Sequence, residues 1–438
     1  MNAKYTAKHT ETATVLYELR DIWLRETELY ANAIESVETR LAAKLCLIAD
    51  TLTIEETENE NTAVAKKEEP TTEPECFIFL ASHINSQLAS ISNRGYELAY
   101  QWLALDASKS VAADAALTLY PPTDKARLFK LYNEQESLRP TLFRLYRKQM
   151  QALPRDLVTM AATADSAPTA LKIEALHYAA ATPEIGQDLF RTHYSPLLTG
   201  STKLDASILI AALWGGLVRG DPDATKAIRA ALSQQTTAEA QTQLMRLAAL
   251  SGQDEFLPLI NIALEDNPAT GYPLLVLFGK KSVMPALLKG LETAHSMEHA
   301  AAAYTKLTDQ ILPRVPRLSV VGEDTDDAEA TPEQIPDIKA AHAWWNAHQA
   351  NWKTDERYLF GKATSPIHLT AQSKKHAGRF GRDIMALLAL GQQAPLNIPD
   401  ETWRIRQTHL LDAQATTKPH TKPAVSKPPT QAASTRHA

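Results

Sequence analysis

The stretch Gly252–Leu264, GQDEFLPLINIAL, decides the fold because three other stretches share its frame. They are GQDLFRTHYSPLL from Gly186, GDPDATKAIRAAL from Gly220 and GKKSVMPALLKGL from Gly279. In each, an apolar residue follows the glycine by four positions (Phe190, Ala224, Phe256, Val283) and another aromatic or aliphatic one by eight (Tyr194, Ile228, Ile260, Leu287). A leucine follows by twelve (Leu198, Leu232, Leu264, Leu291). Offsets of four, eight and twelve line up on one helix face. Ahead of each glycine runs a second helix-forming segment: LKIEALHYAAA, LDASILIAALWGGL, AEAQTQLMRLAAL and PATGYPLLVLF. The pattern predicts helical hairpins spaced 34, 32 and 27 residues apart. Glycine supplies each tight turn, because a positive φ costs it little. One hairpin cannot cover its own apolar face, so hairpins stack on their neighbours. The expected fold class is all-α: a HEAT-like α-solenoid of stacked helical hairpins, with an N-terminal helical segment, an acidic loop and a distinct C-terminal helical cap.

Working outward, residues 1–53 read as an N-terminal helical segment, with Leu16, Leu19, Trp23, Leu29, Ala33, Val37, Leu41, Leu45 and Ile48 recurring at helical steps. Residues 54–75 read as an acidic flexible linker and 76–311 as the HEAT-like repeats. Residues 312–336 form an acidic Pro-rich loop with six acidic residues between Glu323 and Glu333. Residues 337–413 are the C-terminal helical cap, and 414–438 a basic Pro/Thr-rich tail expected to be disordered.

Composition agrees with helices: 44% of the 438 residues are apolar and only 15 are glycine. A net charge of −6 argues against a generic nucleic-acid-binding surface. The two cysteines, Cys46 and Cys76, form no CxxC pair, which fits a reducing compartment. The N-terminus lacks a signal-peptide core, and the longest apolar run, Ala206–Val218, is too short to span a bilayer. A cytoplasmic location with no membrane partner is expected.

The search for chemistry returns little. His295 and His299 share a helix face, but Ser296 stands where a zincin needs glutamate, and no third ligand is near in sequence. His342 and His348 fall on different faces. EDTDDAEATPE lacks the order of a calcium loop. GxSxG, P-loop and GxGxxG patterns are missing; LWGGLVRGD lacks the GK[ST] ending, and its RGD reads as a turn tripeptide. No cofactor or metal is expected. Lys172, Arg191, Lys203, Arg219, Lys226, Arg229, Arg246, Lys280, Lys281 and Lys289 are scattered through the repeats. The denser set Arg139, Arg144, Arg147, Lys148 and Arg155 interleaves with Leu142, Phe143, Leu145 and Tyr146 as an amphipathic helix. Clustering of such cations on the concave face would favour a nucleic-acid-processing protein.

The segment DIKAAHAWWNAHQANWKTDERYLFGK, residues 337–362, is the most specialised. Ile338, Ala341, Trp345 and Trp352 fall at helical steps, with Trp344 and His348 as a flank; tryptophans on such a stripe are usually buried anchors. Gly361 breaks the pattern, and Ser365 with Pro366 opens another helix. Trp344, Trp345, Trp352, Arg357, Tyr358, Leu359, Gly361, Pro366, His368 and Leu369 together resemble the C-terminal signature of a bacterial family of uncharacterised HEAT-repeat-like proteins. Members of that family are often encoded near type VI secretion system components. LYELRDIWLRETELYANAIESVETRLAAKL is similar to its N-terminal region, with Lys44 in place of a usual histidine. The resemblance implies a HEAT-like solenoid with a secretion-associated interaction role, and it brings no catalytic residues.

The expected function is a non-enzymatic protein-binding scaffold, an adaptor or accessory factor for a type VI secretion effector. Its partner would be a protein, a secreted effector or a secretion component, held on a curved face of the second helices; no nucleic acid is expected. The alternatives are an immunity-type protein that neutralises an effector, a helical-repeat nucleic-acid-processing enzyme and a self-associating structural scaffold.

Overall fold

The computed structural model describes residues 3–26, 29–58, 70–122, 124, 126–200, 205–234, 237–317, 333–391, 403, 404 and 407. Among these the chain is all-α, with 20 α-helices and six strands of two or three residues. The N-terminal segment is a hairpin, α1 (Ala3–Arg25) and α2 (Ala31–Glu58), around a short strand β1 (Leu29–Tyr30). Next come α3 (Glu73–Ile84), α4 (Ala89–Trp102), α5 (Ala107–Leu119), α6 (Ala126–Glu134), α7 (Arg139–Lys148) and α8 (Arg155–Thr163). The four glycine-framed pairs are α9 (Thr169–Ala181) with α10 (Asp188–Leu198), α11 (Ala206–Val218) with α12 (Pro222–Ser233), α13 (Ala238–Ser251) with α14 (Leu257–Asp266), and α15 (Pro268–Phe278) with α16 (Met284–Leu291). Helix α17 (Met297–Thr308) leads to the β2–β3 hairpin (Arg314–Pro316, Gln334–Pro336). The chain continues through α18 (Ile338–His348), the β4–β5 hairpin (Tyr358–Leu359, Lys362–Ala363), α19 (Pro366–Ser373), β6 (His376–Ala377) and α20 (Gly378–Gly391).

The first helices of successive pairs pack on one another in series, from α3 through α5, α7, α9, α11, α13 and α15 to α17. The second helices lie against this row on its other side: α10 on α11, α12 on α11 and α13, α14 on α15, and α16 on α17. Small residues set the spacing. Ala175, Ala179 and Ala180 on α9 and Ala211 and Ala212 on α11 are buried. A Cβ at Gly215 would run into the Phe190 ring, and one at Gly216 into Tyr194 and Ala224. The glycine pair of LWGGLVRGD is thus the floor on which α10 and α12 pack.

All four framing glycines fall between the first and second helix of a pair. Gly220, Gly252 and Gly279 have φ of 68°, 62° and 65°, the left-handed conformation that terminates a helix at least cost. Gly186 corrects the expectation at its corner: its φ is not positive, because the longer connection from Thr182 to Gln187 makes the turn more gradually. Asp309 takes the left-handed position after α17, with φ 64°, and no glycine announces it. The residues four and eight past the glycines are fully buried in all four pairs. Leu198, twelve past the first, is exposed instead, since α10 ends there.

Two boundaries also change. The stretch 54–75 is not a linker at its ends. Helix α2 runs on to Glu58, and α3 opens at Glu73 with a capping box in which Thr72 and Glu75 satisfy each other's backbone N–H groups. Residues 59–69 lie outside the described residues. The N-terminal hairpin is no separate body: α1 and α2 pack on α3, and Tyr17 stacks on Phe77 with ring centroids 4.2 Å apart. The described part of block 337–413 packs on the last helices of the array, α18 on α16 and β4 on α17, but it also reaches back along the chain. Helix α20 lies against α1 and α11, on the side of the first helices. Strand β6 pairs with β1 through Leu29↔Ala377 and Tyr30↔His376, and Trp403 is buried between Arg20 and Phe77. The centre of the acidic loop, 318–332, and the tail 414–438 lie outside the described residues.

Replacing Gly252 or Gly279 with alanine is expected to cost about 1–2 kcal/mol each, because a Cβ opposes the left-handed conformation and would press on Arg357 or on the Tyr358 carbonyl. Gly186→Ala, with nothing within 4 Å of its Cβ position, is expected to leave stability unchanged. Urea denaturation of the three variants measures the contrast.

Candidate functional site in the inner cavity

The residues singled out near the C-terminus close helix ends. Strand β4 runs along the C-termini of successive first helices, whose last carbonyls have no partner within their own helix. Tyr358 N–H donates to the Gly279 carbonyl at 2.7 Å, Phe360 N–H to Lys306 and Gly361 N–H to Leu307, each also at 2.7 Å. Phe360 and Gly361 both have positive φ, 48° and 68°, as a two-residue hairpin turn requires. A Cβ on Gly361 would stand 2.8 Å from the Thr308 carbonyl oxygen. The Arg357 guanidinium lies on Gly252; burial pushes it down to about 10, so it stays charged at neutral pH.

The tryptophans support this strand. Trp345 is buried on α18, and Trp352 meets it edge-on at 5.3 Å. Trp352 does not continue the α18 stripe as expected: the helix ends at His348 and a 3-10 turn intervenes. Trp352 instead stacks on Tyr358 at 4.1 Å. Trp344 stacks on His348 at 4.3 Å and stays half-buried. The signature thus meets at one place, the closed helix ends, and none of it faces the cavity described below.

The RGD corner is tied in the same way. Arg219 donates to the carbonyls of Ala179 at 2.7 Å, Ala180 at 3.2 Å and Ile185 at 2.9 Å, and to that of Thr182, so it covers the end of α9. Asp221 caps α12 and accepts two hydrogen bonds from Arg191, at 3.0 and 2.8 Å, and one from the Tyr194 hydroxyl. Burial would raise the Asp221 carboxyl, but the hydrogen bonds from Arg191, Tyr194 and the Asp223 backbone hold it below the ordinary carboxylate value.

Between α20 and the row of first helices lies a cavity of about 1050 Å³. Its apolar wall includes Ile210 and Trp214 of α11, Leu247 of α13, Leu277 of α15 and Phe380 of α20. Five basic side chains face it: Arg147, Arg246, Lys306, Arg379 and Arg382. Among the described residues, two acidic ones do, Glu26 and Asp383. Arg246 holds Asp383 through Nε at 3.0 Å and Nη2 at 2.8 Å. Burial raises the Asp383 carboxyl against the opposing pull of Arg246, Arg382 and Lys306, three cations around one acid. Lys306 also sits over the Phe380 ring at 4.7 Å. A second cavity of about 350 Å³ lies on the α1 side of α20 and shares Arg382.

Of the basic residues noted in the sequence, Arg144, Arg147 and Lys148 come together with Asp114 and Glu174, with Lys148 to Asp114 at 2.7 Å. Arg139 turns away to Glu136 at 2.9 Å. Lys226, Arg229, Lys280, Lys281 and Lys289 do not line the cavity. His299 does, and His295 does not. Among the described residues, no three His, Cys, Asp or Glu side chains form a group able to hold a metal ion, and no helix is long and apolar enough to cross a membrane. Cys46 accepts from Asn85 at 3.1 Å, and Cys76 is buried beside the Pro70 carbonyl at 3.4 Å. Sequence reasoning missed Lys306, Arg379, Arg382 and Asp383. The signal for Lys306 was a charged residue breaking an apolar first helix; α20 offered none that said what it would pack against. No family model, curated protein or solved structure matches the chain.

Trp352→Ala is expected to cost about 3–5 kcal/mol, the usual loss for a buried aromatic, and Trp344→Ala clearly less; chemical denaturation reads the difference. The depressed Asp221 carboxyl contributes stability above its unfolded value, and this is lost as pH falls through the lower folded value, below about pH 4. Asp221→Asn is expected to lower the unfolding midpoint at pH 7 and to flatten its decline between pH 5 and 3, as thermal melts across that range would record.

Proposed function

We propose that the chain is a HEAT-like α-solenoid and acts as a non-enzymatic, cytoplasmic protein-binding scaffold, an adaptor for an effector of a type VI secretion system. The serial packing of first helices and the left-handed corners at Gly220, Gly252 and Gly279 support the solenoid reading. The secretion context rests on the resemblance of the tryptophan segment. The partner face is kept on the second helices, because α20 lies against the side of the first helices.

One observation carries the binding role. Helix α14 is rich in apolar residues, yet it fully buries only Ile260. It turns Leu259 and Ile262 to solvent, 36% and 56% exposed and three residues apart on one face. An apolar patch of this kind on an outer helix suits the central anchor of a protein interface.

In a strain that carries the secretion genes, deletion of this chain is expected to stop release of one effector while the apparatus still fires. A chain with Leu259→Asp and Ile262→Asp is expected to fold but fail to restore release, whereas Met160→Asp on α8 restores it. Immunoblotting of secreted effector measures both, and full restoration by the double variant overturns the reading.

A further inference from the structure

We infer that the outward seam of α14 takes an amphipathic helix of its partner, one that carries two apolar residues a turn apart and a lysine or arginine a turn beyond them. This rests on the reading of α14 as the partner's anchor and adds the chemistry of what docks there.

The layer of second helices is interrupted at α14. Helices α10 and α12 pack on each other, whereas α14 packs on α15 and lightly on α13, with no comparable packing on α12 or α16. Leu259, Ile262 and Asp266 follow one another at steps of three and four, which align them on one helix face. All three are exposed. Side chains at this spacing form a seam into which a second helix fits its own apolar residues.

Charge names the incoming helix. At the N-terminal end of the seam Glu255 is held by Arg229 at 2.7 Å, and Asp254 by Lys280 at 2.9 Å. At the C-terminal end Glu265 and Asp266 are exposed, and α14 has no basic residue in its last turn. Among the described residues no cation pairs with either. The positive N-terminus of α15, which begins at Pro268, favours acids at this corner, but both side chains remain open to a second cation. The unmatched charge of the seam is therefore negative and lies at one end. A second copy of this chain complements it less well. Laid parallel, it sets these acids against themselves; laid antiparallel, it sets them against Glu255, whose cation is already engaged. An anionic membrane surface has the wrong sign.

The test uses the full chain and a labelled helical peptide of alanine and glutamine that carries Leu-x-x-Leu, with a lysine four residues outside each leucine so that either direction of docking is served. Fluorescence anisotropy is expected to show saturable binding. Replacing the lysines by glutamates is expected to weaken it about fivefold, the worth of an exposed ion pair. Replacing the leucines by serines is expected to abolish it. Ile262→Asp is expected to lower affinity about tenfold or more, the worth of one buried aliphatic side chain. A chain with Glu265→Lys and Asp266→Lys is expected to prefer the glutamate peptide, and melting curves verify the fold of both variants. The inference is overturned by no saturable binding at millimolar concentration, by equal affinity for lysine and glutamate peptides, by binding of the serine peptide, or by unchanged affinity in a folded Ile262→Asp chain. Self-association in sedimentation that Ile262→Asp removes would place a second copy on the seam and also overturns it. Preference for the lysine peptide in a chain whose Leu259→Asp and Ile262→Asp variant still restores effector release keeps this inference and removes the adaptor reading. Loss of release with no preference between the peptides does the reverse.

Discussion

Each α-helix ends in carbonyls that its own backbone cannot satisfy, and the twenty helices among the described residues multiply those ends. Here that demand organises the molecule. Arg219 gathers the last carbonyls of α9 onto one guanidinium. The backbone of β4 and of the turn that follows it does the same at the ends of α15 and α17. A segment far along the chain is therefore required by helices that precede it. The C-terminal hairpin is fastened by main-chain donors, and Trp345, Trp352 and Tyr358 keep it pressed in place.

Ion pairs also join the helices, two of them buried and one, Arg246 with Asp383, partly open to solvent. Lys148 and Asp114 join α7 to α5, Arg147 and Glu174 join α7 to α9, and Arg246 and Asp383 join α13 to α20. Pairs removed from water contribute little net stability, since desolvation offsets their attraction. Their geometric demand is nonetheless specific. A slip of α20 by one turn would separate Asp383 from Arg246 and leave charges in an apolar wall. These pairs suit the selection of one register among several that apolar packing alone would tolerate.

Much of the architecture could be read in advance. The stripes four and eight residues past each glycine name side chains that are fully buried, because local periodicity reports directly on which face a helix hides. The corners were legible wherever glycine is required, at Gly220, Gly252 and Gly279. Gly186 carried the same letter without the same backbone, and Asp309 the same backbone without the letter. What could not be read was distance in space. Nothing near Asp383 in sequence points to Arg246, and nothing near Tyr30 points to His376. The cavity exists only because α20 returns to the first helices, so its residues could not be recognised as a set. The tryptophan segment drew attention by composition, yet its role is mechanical support.

The pairing of β1 with β6 has a consequence for biogenesis. Local hairpins can form as soon as they leave the ribosome, one after another, because their contacts are close along the chain. Tyr30 must wait for His376. While the intervening residues are being made, the row of first helices is therefore an open trough, and its roof arrives only with α20. A nascent chain cut short before α20 would keep its hairpins but expose that trough permanently, a natural mark for the quality-control machinery that removes truncated products.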